Sequence, residues 1–129
     1  MIGSGVYNYI NILDKAADAS WLRNEVISNN IANATTPGYK RQDVQFESYL
    51  MTALAGGDSL DESVMNLDAA DITATTYTEY AGLSYRMDGN NVDIATENAE
   101  LAKSQLRYYT LVDSINQEFS RIKMVLTSK

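Results

Sequence analysis

The side chains that most often do chemistry are scarce in this sequence. It contains no cysteine and no histidine, which removes thiolate nucleophiles, Cys/His metal sites, imidazole bases and disulfides together. Any catalysis would fall to carboxylates, lysine or tyrosine. The densest carboxylate group is Asp58, Asp61, Glu62, Asp68 and Asp71. Such a set could hold a hard cation or pair for general acid and base work, as in a carboxylate-based cell-wall hydrolase reacting through Asp61 or Glu62. The spacing matches no calcium loop, and charge runs usually face water, so a solvated, mobile acidic loop is the expected reading. Tyr77, Tyr80 and Tyr85 could make a sugar-binding surface, although edge or core packing is the commoner use of tyrosine. Asn33-Ala34-Thr35 fits a glycosylation sequon, a pattern too short to stand against chance. Gly3-Ser4-Gly5 lacks the preceding strand and the remainder of a dinucleotide fingerprint. No catalytic residue, metal site, cofactor or small-molecule substrate is therefore expected.

The charge distribution narrows the partners. The net charge of −7 is concentrated in the middle: residues 61–92 carry six acids against Arg86 alone, while 1–60 carry six acids and four bases and 93–129 carry five of each. A nucleic-acid surface needs a basic stripe to offset phosphate charge, and none is visible. No stretch approaches the roughly 18 apolar residues of a membrane span. Met1 to Ile10 shows neither the basic start nor the apolar run of a cleaved signal peptide, so export would need another route. Apolar residues at 45% with nine tyrosines exceed what a wholly disordered chain carries.

The elements follow from periodicity. Val6, Ile10, Leu13, Ala17, Trp21, Ile27 and Ile31 fall within one arc at 100° per residue, which predicts an N-terminal helix from about Val6 to Asn33, with Asn24 interrupting the stripe. Thr36-Pro37-Gly38-Tyr39 ends it, because the residue before proline resists the α region and Pro-Gly suits the centre of a type II turn. Glu47 to Ala55 predicts a short helix stopped by Gly56-Gly57, and Ile72 to Met87 one or two strands. Asp88-Gly89-Asn90-Asn91 predicts a turn that caps the last helix. From about Val92 to Leu126 the pattern predicts a helix of roughly 50 Å. Its seam runs Ile94, Asn98, Leu101, Gln105, Tyr108, Val112, Ile115, Phe119, Ile122 and Leu126 in steps of four and three.

That last helix carries a second apolar row, Ala95, Ala99, Ala102, Leu106 and Tyr109, well away from the seam. Leu22 and Val26 lie likewise opposite the main stripe of the first helix. A two-helix hairpin covers only one row on each. Either the middle segment folds back over the second, or neighbouring subunits do. Burial of one seam in so long a helix is energetically marginal, so subunit contact is the favoured expectation.

The most distinctive run is Ser28-Asn29-Asn30-Ile31-Ala32-Asn33-Ala34-Thr35-Thr36-Pro37-Gly38-Tyr39-Lys40. Asn29, Asn30 and Asn33 place amides on the final helical turn, where they could bond free carbonyls or a neighbouring backbone, or simply form a polar helix end. This run resembles the signature of the flagellar rod and hook family of axial proteins, an Asn-Asn-Ile-Ala-Asn core followed by Thr-Pro-Gly and an aromatic. Asp43-Val44-Gln45-Phe46 and Asp88-Gly89-Asn90-Asn91-Val92-Asp93 are similar to the proximal-rod branch. The likeness covers about Leu22 to Phe46 and Tyr85 to the end.

The resemblance implies a mainly α fold, with long terminal helices paired as a coiled-coil-like hairpin around a variable middle of limited β structure. The expected segments are 1–34, 35–91 and 92–129. It implies a structural, non-enzymatic subunit of the proximal basal-body rod that stacks helically with copies of itself, other rod proteins and a membrane-ring adaptor, transmits torque and walls the export channel. It also implies export without a cleaved signal to the periplasmic space. Asn29, Asn30, Ile31, Ala32, Asn33, Thr36, Pro37, Gly38 and Tyr39 are the motif positions, Leu101, Tyr108, Val112, Ile115, Phe119 and Ile122 the seam, and Ala95, Ala99, Ala102, Leu106 and Tyr109 the subunit contact. The rival expectation is a monomeric helical adaptor or export chaperone that holds one client.

Overall fold

A computed structural model describes residues 4–80 and 86–128. Two long helices dominate it, α1 (Ser4–Ala32) and α4 (Ile94–Thr127). Between them lie β1 (Gln42–Gln45), α2 (Glu47–Leu54), α3 (Leu60–Met65), a 3-10 turn (Ala69–Ile72) and β2 (Thr75–Thr78). The fold is thus mainly helical with a small antiparallel ribbon, as the periodicity predicts. In that ribbon Gln42 faces Thr78 and Gln45 faces Thr75, and Glu79 N–H adds one further ladder bond to the Arg41 carbonyl at 2.9 Å.

α1 and α4 pack antiparallel along most of their length, Asn30 meeting Glu97 near one end and Ser20 meeting Ser104 farther along. Small side chains allow the close approach: Ala17, Ser20 and Ser104 are all buried, and Ser104 Oγ donates to the Ser20 carbonyl at 3.1 Å. Trp21 packs at 5.5 Å on Tyr108, which lies 5.9 Å from Tyr109. The seam differs from the predicted one by about a residue. Glu97 and Ser104 are its innermost members on α4, with Leu101, Tyr108, Leu111, Val112, Ile115 and Ile122 half-buried around them. Ile94, Asn98, Gln105 and Leu126 are exposed, and so is Phe119 at 54%. The apolar periodicity favours the heptad track with more hydrophobic residues, whereas the contact follows the track whose innermost residues, Glu97 and Ser104, are small or hydrogen-bonded inside.

The middle segment folds back, but over α1. Ala19, Phe46 and Ile72 form a buried cluster, joined by Ile12, Ala16, Leu50, Ala53, Leu67 and Ala74. Val26 is buried and Leu22 half-buried, so the predicted uncovered pair on the first helix is covered. The acidic stretch from Asp58 to Asp71 is likewise ordered into α3 and the 3-10 turn. Ser59 caps α3 by accepting the Glu62 N–H, Asp68 caps the 3-10 turn by accepting the Ala70 N–H, and Val64 and Ile72 anchor the segment inside. Local caps and two apolar anchors outweigh the repulsion of a charge run whose carboxylates all face water.

The Pro-Gly turn forms as predicted: Gly38 has φ +73° and Tyr39 N–H donates to the Thr36 carbonyl at 3.3 Å. A positive φ at this position is the type II requirement that glycine meets without strain. Gly89 has φ +79° in the second turn, yet the cap of α4 is Asp93, whose carboxylate accepts from Ala95 and Thr96 N–H; residues 88–91 are engaged elsewhere.

Because Ile72 has no accessible surface and joins two short elements to α1, Ile72→Ala should lower stability by about 2–5 kcal/mol, read from urea unfolding. Truncation of the exposed Met51 side chain to alanine, on the same layer, should change it by less than about 0.5 kcal/mol.

Candidate functional site: a polar clamp at the joint of the two long helices

The chain leaves α1 through a loop whose carbonyls, at Asn33, Ala34 and Thr36, take donors from the turn before α4, so these two stretches are folded onto each other. Asn33 Nδ2 donates to the Asn29 carbonyl at 2.8 Å, closing the last turn of α1. Asn90, buried, donates its amide to the carbonyls of Asn33 (2.8 Å) and Thr36 (2.9 Å), and its own Oδ1 accepts Val92 N–H at 2.8 Å. Arg86 donates to the Ala34 carbonyl, Lys40 to the Gly89 carbonyl, and Gly38 N–H to the Asp88 carbonyl at 2.7 Å. The last carbonyls of α1 are met locally by the Asn33 and Ala34 N–H groups, and the turn before α4 supplies, from across the fold, donors for the carbonyls just beyond the helix end.

One layer inward, Asn30 has no accessible surface. Its amide brackets the start of β1, donating to the Gln42 carbonyl at 2.8 Å and accepting Gln42 N–H at 2.9 Å. The same Oδ1 accepts from Tyr39 Oη at 3.2 Å, and the Nδ2 donates to Glu97 Oε2 at 3.1 Å. Glu97, 1% exposed, receives Arg41 Nε on its other oxygen at 2.6 Å. Arg41 also pairs with Glu79 and, at 3.4 Å, with Asp43, while its N–H donates to Asn91 Oδ1 at 2.7 Å. Asn91 in turn donates to the Glu79 carbonyl at 2.8 Å.

Burial alone would lower the pKa of Arg41, but hydrogen bonds to Glu97 and Glu79, with the charges of Glu97 and Asp43, raise it above its ordinary value. Burial and the Glu97 charge raise that of Tyr39. A second ion cluster lies about two turns back along α1. Arg23 of α1 holds Glu47 through two bonds of 2.7 and 2.8 Å and the Val44 carbonyl at 3.0 Å, and Arg107 of α4 reaches the same Glu47 at 3.4 Å. Glu47 is held below its ordinary carboxylate pKa, chiefly by the Arg23 hydrogen bond.

Of the motif residues, Asn30, Asn33 and Tyr39 enter this clamp by their side chains and Gly38 by its backbone. Ile31 is half-buried, Ala32 and Pro37 are exposed, Thr36 contributes its carbonyl and a hydroxyl bond to Asn33 at 3.2 Å, and Asn29 contributes only its carbonyl. Sequence reasoning missed Arg41, Glu97 and Asn90 as partners. The available signal was the second apparent motif, residues 88–93, recurring as a polar turn just before α4; nothing local joins it to Asn33.

Three of the five carboxylates considered for chemistry, Asp61, Glu62 and Asp68, make structural bonds. Glu62 accepts Asp58 N–H, Asp61 accepts from Tyr9 Oη at 2.6 Å and Asp68 is a cap. Among the described residues no cluster of three acidic side chains is arranged to hold a metal ion, and no helix is long and apolar enough to cross a membrane. Tyr77 and Tyr80 are exposed, and Tyr85 lies outside the described residues.

The buried ion pair and its neighbour are each testable. Arg41→Met should cost about 3 kcal/mol in urea unfolding, because it strands the buried Glu97 charge, whereas Glu97→Met should cost less, because Arg41 keeps Glu79 and Asp43, and the double variant should cost well below the sum of the two. The lowered pKa of Glu47 means that its contribution is present above its ordinary value of 4.5 and is lost as pH falls through the lower folded value. The Tm difference between the native chain and Glu47→Gln should therefore shrink as pH is taken below about 4.

The clamp residues fall within and around a stretch that known proteins share. Residues 13–40 match the family described as flagella basal body rod protein. The chain is 36% identical over 120 residues to the flagellar basal body rod protein FlgB of Bacillus subtilis, covering 92% of both chains. It is 34% identical over 99 residues to FlgB of Cereibacter sphaeroides, covering 76% of this chain and 77% of that one. To FlgB of Escherichia coli it is 31% identical over 119 residues, covering 82% and 83%. The chain therefore belongs to the flagellar basal-body rod protein family and is a FlgB-like structural subunit of the rod.

Proposed function

We propose that the subunit works by geometry alone, without catalysis: the clamp fixes one end of the helix pair, and the uncovered face of α4 meets neighbouring subunits. The carrying observation is the row Ala95, Ala99, Ala102, Leu106 and Tyr109. All five are exposed, Leu106 and Tyr109 at 69% each, and at 100° per residue they lie on the side of α4 turned away from buried Ser104. An alanine-lined ridge lets another backbone approach closely, and the leucine and tyrosine supply most of the area to be buried.

In this reading copies of the chain and other rod proteins stack helically, with a membrane-ring adaptor at the inner end, and torque is shared over many such contacts. The seam residues Leu101, Tyr108, Val112, Ile115 and Ile122 hold the hairpin, and Phe119 serves contacts between subunits. Family membership supports a proximal position, passage through the flagellar export apparatus and assembly in the periplasmic space.

Leu106→Asp tests the assigned face. The substitution lies on an exposed position, so helix content and secretion should be unchanged while rods fail to form and motility is lost. Normal rods from that variant would defeat the assignment, and a monomer holding one client at one-to-one stoichiometry would favour the adaptor reading.

A further inference from the structure

A groove of about 630 Å³ runs between α1 and α4 on the flank beside Trp21. Its walls include Trp21, Asn24, Glu25, Tyr108 and Tyr109. Two features say what it lacks. Asn24 Oδ1 is buried and accepts no hydrogen bond among the described residues, and an acceptor withdrawn from water without a donor is costly. Trp21 is 55% exposed and is flanked along the outer face of α1 by Asp14, Asp18 and Glu25, all exposed and in no ion pair among the described residues. The groove thus asks for a cation with apolar groups on either side of it.

The far end of α4 has that pattern. Phe119, Lys123 and Leu126 are spaced four and three apart on one edge, Phe119 is 54% and Leu126 79% exposed, and Lys123 is exposed with no ion pair among the described residues. From residue 119 onward the sequence has Arg121, Lys123 and Lys129 and no acid. The edge spans about 10 Å along its helix, the same length as Trp21 to Ser28 on the groove side, at 1.5 Å per residue.

We propose that this groove receives the Phe119–Lys123–Leu126 edge of a second copy. Lys123 meets the Asn24 side-chain carbonyl oxygen and the Glu25 carboxylate, and Phe119 and Leu126 pack on the aromatic wall of Trp21, Tyr108 and Tyr109. Groove and edge lie at different heights on one molecule, about 18 residues of helix or roughly 27 Å apart. Copies of the same polarity are then offset along their axis by that amount. Such a contact is heterologous, leaving one groove and one edge free at the ends, so growth is open rather than closing at a dimer. The inference rests on the self-assembly reading and adds to it which surface meets which.

The chain's lack of cysteine makes the test clean. Full-length Glu25→Cys and Lys123→Cys proteins, each checked for unchanged helix content, are mixed under conditions where the native chain sediments as assemblies and then oxidised. The expected result is a 25–123 disulfide dimer at least about fivefold in excess of either same-site dimer, an excess set by the local concentration in a docked pair. Independently, Lys123→Glu should weaken self-association about tenfold and Glu25→Lys in the same chain should restore it. Assemblies that form without the 25–123 link, or a charge swap without rescue, would overturn this contact while leaving the rod reading intact. A chain that stays monomeric at every concentration would overturn both.

Discussion

A single carboxylate organises this molecule. Glu97 sits almost without solvent access on the inner face of α4, and a buried charge is tolerated only when its oxygens are fully engaged. One oxygen takes Asn30 from α1 and the other takes Arg41 from the strand edge. Satisfying it therefore sets three things at once: the axial register of the two long helices, the place where the chain turns back after α1, and the start of the β ribbon. A slip of one helical turn would part the carboxylate from Asn30 and Arg41, a cost of about 3–5 kcal/mol for a buried charge that loses its partner. An apolar contact of equal area would bind the helices without choosing among neighbouring registers, since alanine and serine ridges are nearly repetitive.

The consequence for assembly is a subunit with two unlike ends. At the joint, amides and a guanidinium engage the carbonyls of Asn29, Asn33 and Ala34 at the end of α1, and the backbone is held by bonds that cross more than fifty residues of sequence, as from Asn90 to Asn33. Toward the other end α4 carries Phe119, Met124, Val125 and Leu126, each more than half exposed. Stability is thus concentrated where a register must be specified, and apolar surface is kept where further chains can bury it.

The middle of the chain illustrates how a weak sequence signal becomes order. None of α2, α3 or the 3-10 turn would persist alone at such lengths. Each contributes one or two apolar residues, Leu50, Val64 and Ile72, to the side of α1 that α4 does not reach, and the acidic neighbours stay exposed, Asp68 as a cap and Asp61 as a hydroxyl acceptor. The segment's negative charge is accordingly a solubilising skin over a thin apolar layer. It covers α1 and leaves the Ala95 to Tyr109 row of α4 open.

By itself the sequence determined the two long helices, the Pro-Gly stop after Asn33, the helix that ends before Gly56-Gly57 and strand structure between Ile72 and Met87. All of these follow from local rules: 3.6-residue periodicity, the conformational limits of proline and glycine, and β propensity. It also carried the motif that marks the family. The tertiary structure alone decided what two of the motif's asparagines meet, because Asn30 and Asn33 find Glu97 and Asn90 across 67 and 57 residues. It decided too that the seam passes through Glu97 and Ser104 instead of Asn98 and Gln105, and that β1 pairs at Gln42–Gln45. Polar partners across such distances leave no periodic trace, since a buried carboxylate and an exposed one are the same letter until the fold removes the water.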